Sequence, residues 1–397
     1  MVKVPYARPI FGNEEKQMII DIWNSGRLTS GKYVSKLENE LAKFFGVKHA
    51  VAVSSGSMAN LITITALKYM KQFHDGDEII TSPLTFPTTV NPIIQNNLVP
   101  VFVDVNDTLN MDVELVDEAI TDRTVGIVAL HCLGNPLDMN TLMFMAHEYE
   151  LIVMEDACDG MGSTLDGELI GTFGEAGTFS FYPAHHISSC GEGGAIITDN
   201  SRLNILMRRL RDWGRACVCQ QCKLAIGEQC PERFMQEYDR RFQYLEIGYN
   251  GRMSEMEAGV TLIQLSKFDE FHKRRMENIR ILDTFVSKQT LFKKVRVLPN
   301  AVASWFGYPI VLAEDCPFTV KDIAKYLEDH GVETRRLLAG NITKHSAYRN
   351  VKYRVHGTLD NANYFMTHGF FVGCHHGLSK EEVEYIVSVL KMYLESV

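Results

Sequence analysis

Five short runs of almost unbroken apolar residues punctuate the first part of the chain: HAVAV (49–53), DEIIT (77–81), VPVFVDV (99–105), VGIVAL (125–130) and LIVMEDA (151–157). A strand with one wet face alternates apolar and polar residues. Strands that are apolar throughout must be covered on both faces. Segments with helical spacing, such as Asn60 to Met70 and Asp138 to Tyr149, lie between the runs. Strand, helix, strand in repetition supplies that cover and implies a mostly parallel sheet of an α/β domain.

Further helices frame this domain. NEEKQMIIDIWNSG opens at Asn13 as its cap and ends at Gly26; KYVSKLENELAKFFG sets Val34, Leu37, Leu41, Phe44 and Phe45 on one side and ends at Gly46. A long helical pattern from Ser254 to about Val286 reads as a connector. Beyond it SWFGYPIVL (304–312), TVKDIAKYLEDHG (319–331) and KEEVEYIVSVLKMYLES (380–396) give a strand and two helices of a smaller α+β lobe. Single cores stop growing at roughly 250–300 residues, so the 397-residue chain is divided into a large domain, 1–270, and a small one, 271–397.

With 46% apolar and 22% charged residues the chain is a globular protein and not a disordered one. A net charge of −9 argues against nucleic acid as a partner, since that needs a basic surface. No apolar stretch approaches the ~18–20 residues that span a bilayer, and the opening MVKVPYARPIFGNEEK holds no apolar signal core. The expectation is a cytoplasmic protein without a membrane partner.

Four motifs can carry chemistry. SSGSMANL (54–61) follows a strand and opens a helix, where backbone N–H groups and the helix dipole suit a phosphate; a simple cap is the plainer reading. MEDACD (154–159) ends a buried strand with Glu155, Asp156 and Asp159, at the strand end where ligands bind in open α/β sheets, or is an ordinary acidic loop. SFYPAHHISSCGEGGAIIT (180–198) carries His185 and His186 between two strands, as catalysts or as surface residues. GRACVCQQCKLAIGEQC (214–230) gathers Cys217, Cys219, Cys222 and Cys230. Four soft thiolates suit zinc or an iron–sulfur centre, and the spacing, unlike paired Cys-x2-Cys knuckles, leans toward iron–sulfur.

In their order these motifs resemble the sugar aminotransferases of the DegT/DnrJ/StrS type, a branch of the fold-type I pyridoxal phosphate transferases. The likeness runs through SGRLTSGKYVSKLENELAKFFGVKHAVAVSSGS, TFPTTVNPI (85–93), MEDACDGMGS, GYNGRMSEMEAGVTLIQL (248–265) and CHHGLSKEE (374–382). It implies a mostly parallel seven-stranded sheet, a homodimer, and a cofactor phosphate held by Gly56, Ser57 and Ser180. Phe86 is then expected to stack on the pyridine ring, Asp156 to face its nitrogen, Asp159 to lie near its 3-hydroxyl, and Asn250 to reach the phosphate of the neighbouring subunit. Where the family's cofactor-binding lysine belongs, five residues after Ser180, stands His185, and no lysine occurs in 173–202. Imidazole forms no Schiff base but moves protons near neutral pH.

The replacement resembles the NDP-4-keto-6-deoxyhexose 3-dehydrases, which work with pyridoxamine phosphate. WGRACVC (213–219) with the cysteines resembles the iron–sulfur branch of that subgroup, known from ascarylose biosynthesis. The resemblance implies removal of the sugar's C3 hydroxyl with His185 as base. It also implies a two-iron, two-sulfur cluster on Cys217, Cys219, Cys222 and Cys230 in an insertion at 214–233, a separate flavin and iron–sulfur reductase, and substrate contacts from Arg335, Asn341 and His345. One extra residue before GEGG leaves His186 as a second candidate base. A conventional lysine-type sugar aminotransferase and an inactive zinc-binding module are the competing readings.

Overall fold

The computed structural model describes residues 4–219, 222–226, 228–234 and 238–397. The apolar runs lie side by side in one eight-stranded sheet. From edge to edge it runs His49–Val53, Gly194–Thr198, Ala176–Ser180, Ile152–Asp156, Thr124–Leu130, Glu78–Thr81, Val99–Phe102 and Arg354–Val355. Gly194–Thr198 is antiparallel to both neighbours and the remaining pairings are parallel. Seven of the strands come from the first 200 residues. The eighth, only two residues long, is lent by the carboxyl-terminal part of the chain.

Successive residues of a strand point to opposite faces, so each apolar run feeds two cores. Val51, Val53, Ile79, Val128 and Met154 pack on one face beneath the helices Gly56–Lys71 and Ser201–Arg211. Their neighbours Ala52, Ile80, Ile127 and Val153 face the opposite layer, with Lys32–Phe45 and Met139–Glu148 among its cover. The second unit is a four-stranded antiparallel sheet, ordered Phe292–Lys293, Tyr308–Leu312, Gly369–Val372, Thr334–Arg336, carrying the helices Val320–Asp329, Asp360–His368 and Lys380–Ser396.

The expected helix ends at Gly26 and Gly46 are met, both glycines lying in the left-handed region (φ 67° and 70°). Asn13 is instead the first helical residue after Gly12, whose N–H the Glu15 carboxylate caps at 2.7 Å. The connector expected from Ser254 to Val286 is two helices, Glu255–Ser266 and Phe268–Val286, divided at Lys267. A boundary at residue 270 therefore falls inside the second of these. The two units also exchange chain: Val4 pairs with Val332, and Arg354–Val355 extends the large sheet. Among the described residues no helix is long and apolar enough to cross a membrane; of the opening stretch expected to lack a signal core, residues 1–3 lie outside the described residues.

Candidate active site

The parallel strands end along one edge of the sheet, and the turns that follow them bring the candidate residues together. Asp156 is the last residue of its strand and Glu155 the one before, so strand alternation sends them opposite ways. Glu155 turns inward and is structural: it accepts the backbone N–H groups of Gly171, Phe173 and Gly174 and lies 3.1 Å from His131 Nε2. Asp156 turns to the cleft side. Its Oδ2 accepts from Asn60 Nδ2 and Thr89 Oγ1, both at 2.8 Å, and its Oδ1 takes the Cys158 N–H at 3.3 Å. Asn60 in turn accepts from Thr178 Oγ1 at 2.6 Å. This network fixes an acceptor carboxylate at the strand end, the arrangement required to keep a pyridine nitrogen protonated. Asn60 and Thr89 were not singled out from the sequence, although both belong to motifs quoted above.

The phosphate candidates form a cradle. Ser55 caps the helix Gly56–Lys71 through Met58 N at 3.1 Å, leaving the N–H groups of Gly56 and Ser57 at the open helix end. Gly56 packs against Ser180, the last residue of its own strand: a Cβ on Gly56 would lie 2.7 Å from Ser180 Cβ and 2.9 Å from Cys158 Sγ. A Cβ on Gly194 would meet Ser55 C at 2.5 Å and Gly56 N at 2.6 Å, which explains the glycine-rich GEGG turn as room for close backbone approach. Phe86 caps the helix Pro87–Gln95, whose Thr89 binds Asp156, and is 54% exposed. Asp156, Gly56, Ser57, Ser180 and Phe86 therefore fit pyridoxal or pyridoxamine phosphate.

The two adjacent histidines have different surroundings. His186 is buried, with Nε2 2.7 Å from the Ser304 carbonyl oxygen. His185 is held in a turn by its N–H to the Tyr182 carbonyl; its Nδ1 lies 3.6 Å from Asp159 Oδ1, and the ring tilts against Phe306 at 4.9 Å between centroids. Burial, with the nearby Arg275 guanidinium second, pushes the His185 imidazole down to about 3 and holds His186 well below its usual value. Burial first, then the Asp156 charge, pushes the Asp159 carboxyl up to about 7. Arg275, itself buried, donates to the Trp305 carbonyl at 2.8 Å and was not anticipated, because nothing in a helix far along the chain marks which residue will reach a strand end.

The other expectations are placed as follows. The thiols of Cys217, Cys219, Cys222 and Cys230 are free and line one cavity of about 140 Å³ together with Arg215, Arg240 and Arg252. Among the described residues, however, no three His, Cys, Asp or Glu side chains are gathered closely enough to hold a metal ion. The expected metal centre is thus a shared pocket without a formed ligand sphere, and residues 220, 221 and 227 of the insertion lie outside the described residues. Asn250 is exposed and bridged to Asp212, outside the cleft of its own chain. Gly251, next to it, has no room for a side chain: a Cβ there would lie 2.6 Å from Met58 Cγ. Arg335 stacks on Tyr6 at 4.0 Å and lines a cavity of about 650 Å³ in the second unit. Asn341 is fully buried and acts within the fold, donating to Asn363 Oδ1 and accepting from Thr343. His345 is exposed with Nε2 2.7 Å from the Ala339 carbonyl.

A doubly covered, mostly parallel sheet with an anchored aspartate and a helix-end phosphate cradle at its strand ends defines a fold-type I pyridoxal phosphate transferase. Residues 9–391 match the DegT/DnrJ/EryC1/StrS aminotransferase family. The chain belongs to that family. It is 39% identical over 401 residues to the lipopolysaccharide biosynthesis protein RfbH of Salmonella typhimurium, covering 97% of this chain and 90% of the relative. It is 34% identical to a GDP-4-keto-6-deoxy-D-mannose 3-dehydratase of Escherichia coli, covering 98% and 100%. Among solved structures, the E. coli GDP-4-keto-6-deoxy-D-mannose-3-dehydratase with bound hydrated PLP superposes with a TM-score of 0.89 at 33% identity, over 98% of this chain and 100% of the other. A histidine-to-asparagine variant of such a dehydratase with bound GDP-perosamine gives 0.90 at 32%, over the same shares.

Proposed function

We propose that this protein is a pyridoxamine phosphate-dependent dehydratase that removes the C3 hydroxyl of a nucleotide-linked 4-keto-6-deoxyhexose. The observation that carries the reading is His185: an imidazole stands five residues after the strand end at Ser180, with Nδ1 3.6 Å from Asp159 Oδ1, in the sequence position where lysine-type relatives hold the cofactor covalently. The names of the dehydratases similar to this chain support the substrate class. The cofactor, when bound, supplies an amine that condenses with the sugar ketone and a ring that withdraws electrons.

The chain does the rest. Gly56, Ser57 and Ser180 hold the phosphate at the helix end, and Phe86 covers the ring. Asp156, fixed by Asn60 and Thr89, keeps the pyridine nitrogen protonated at Oδ1 or Oδ2. His185 accepts and returns a proton through its imidazole, while His186 is tied to Ser304 and anchors the turn. Anaerobic incubation of purified protein with pyridoxamine phosphate, a flavin and iron–sulfur reductase as the two-electron source and a panel of nucleotide 4-keto-6-deoxyhexoses tests the reading by loss of the C3 oxygen. Amino transfer from glutamate to the same sugars, without deoxygenation, would overturn it.

Two finer assignments belong to this reading. Cys217, Cys219, Cys222 and Cys230, four free thiols lining one cavity, would hold a two-iron, two-sulfur cluster, which would supply one-electron chemistry fed by a separate reductase. Iron and acid-labile sulfide in anaerobically prepared protein test it, and stoichiometric zinc without sulfide would overturn it. A homodimer is assigned from the exposed Asn250 and the uncovered apolar side chains of Phe234, Phe242, Tyr244, Leu245 and Ile247, all in one stretch beside it.

A further inference from the structure

A neutral imidazole accepts a proton through one nitrogen only when the other carries the ring hydrogen. The two nitrogens of His185 stand in different surroundings. Nδ1 is sealed from solvent without a hydrogen-bond partner and faces Asp159 Oδ1 at 3.6 Å, whereas Nε2 is not among the sealed atoms. Asp156, the other carboxylate at this strand end, is engaged by Asn60, Thr89 and the Cys158 N–H, and no contact with the imidazole is among its hydrogen bonds. Among the described residues, His185 is the basic side chain recorded within 4 Å of the Asp159 carboxyl. Both side chains are largely buried, at 13% and 12% exposure, so the interaction is little screened by water.

We propose that Asp159 is a positioning residue for His185: its carboxylate takes the Nδ1 hydrogen, fixes the ring tautomer and leaves the Nε2 lone pair toward the cleft. This rests on the reading of His185 as the base and deepens it. The 3.6 Å separation is longer than a hydrogen bond, and such catalytic pairs commonly tighten when the site is filled. Arg275 and His186 face the imidazole, and Asp156, Cys132 and Cys158 face the carboxyl. The negative neighbour and burial keep the Asp159 proton on until about pH 7. Below that pH the acid donates to Nδ1 and the hydrogen sits on Nε2, so the base is blocked; above it the roles reverse. Asp159 thus sets the acid limb of the activity profile.

The test is 15N NMR of histidine-labelled protein carrying pyridoxamine phosphate at pH 8, with His185 assigned by its loss in His185→Gln. The expected result is hydrogen on Nδ1 in the wild type and on Nε2 in Asp159→Ala. With it, kcat falls about 100-fold in Asp159→Asn, the size of a general-base contribution, while KM and pyridoxamine phosphate affinity hold and Asp159→Glu restores part of the rate. An unchanged tautomer in Asp159→Ala overturns the proposal, as does a parallel loss of cofactor affinity, which would make Asp159 a cofactor ligand. If the wild type deoxygenates no sugar and the tautomer still switches, the functional reading fails and the positioning role stands.

Discussion

At the scale of single residues, the site concentrates groups held away from their ordinary charge states, which makes stability depend on pH in two opposed ways. His185, His375 and His376 are pushed down to about 3 by burial, with Arg275 second. An unfolded chain protonates them from about pH 6.5 downward while the folded one does not, so each removes up to ~1.4 kcal/mol of stability per pH unit as pH falls from there toward 3. Asp159 acts in the other direction. Its folded-state value of about 7 against 3.8 means that stability is lost as pH rises through that window. Asp159→Asn is therefore expected to raise stability by about 2 kcal/mol at pH 8 and to change nothing near pH 4, read by thermal unfolding at both. Equal shifts at the two pH values would refute this. Thr89→Val removes one donor from Asp156; it is expected to cost about 1–2 kcal/mol and to weaken pyridoxamine phosphate binding, measured by calorimetry.

At the scale of elements, two helices are locked to the sheet edge by charge. Glu38, from Lys32–Phe45, accepts from Arg208 and Arg211 of Ser201–Arg211 at 2.8 and 2.7 Å and also from Ala52 N; the two arginines donate to the Ala50 and Ala52 carbonyls. All three side chains are buried. Glu38→Gln leaves two buried guanidinium groups facing a neutral amide and is expected to destabilise by about 3–5 kcal/mol, read by denaturant unfolding. A loss under 1 kcal/mol would mean that water reaches the pair. Gly194→Ala tests the other element contact. Its methyl would collide with the backbone at Ser55 and Gly56, so the variant is expected to lose cofactor phosphate affinity at least ~10-fold, measured by calorimetry.

For the whole molecule, the proposed homodimer would cover the exposed side chains of Phe234, Phe242, Tyr244, Leu245 and Ile247. Ile247, 86% exposed, is the clearest marker. Ile247→Asp is expected to shift sedimentation toward the monomer and to reduce activity with it; an unchanged dimer would put the interface elsewhere. The sheet, its helices and the glycine helix ends were legible because apolar periodicity and left-handed turns are local properties of ten to fifteen residues. Ser180 to His185 was legible too, by counting along one strand and turn. The division of work between His185 and His186 was not: both stand in one turn, and only distant residues, Asp159 from one strand end and Ser304 from the second unit, give each ring its direction. Asn60, Thr89 and Arg275 were invisible for the same reason, as was the internal role of Asn341. The sequence by itself determined which side chains exist to do chemistry and which strand ends carry them, since covalent order fixes both. Which nitrogen faces which carboxylate, and which polar group is held by the fold, was decided only when packing brought segments a hundred residues apart within hydrogen-bonding reach.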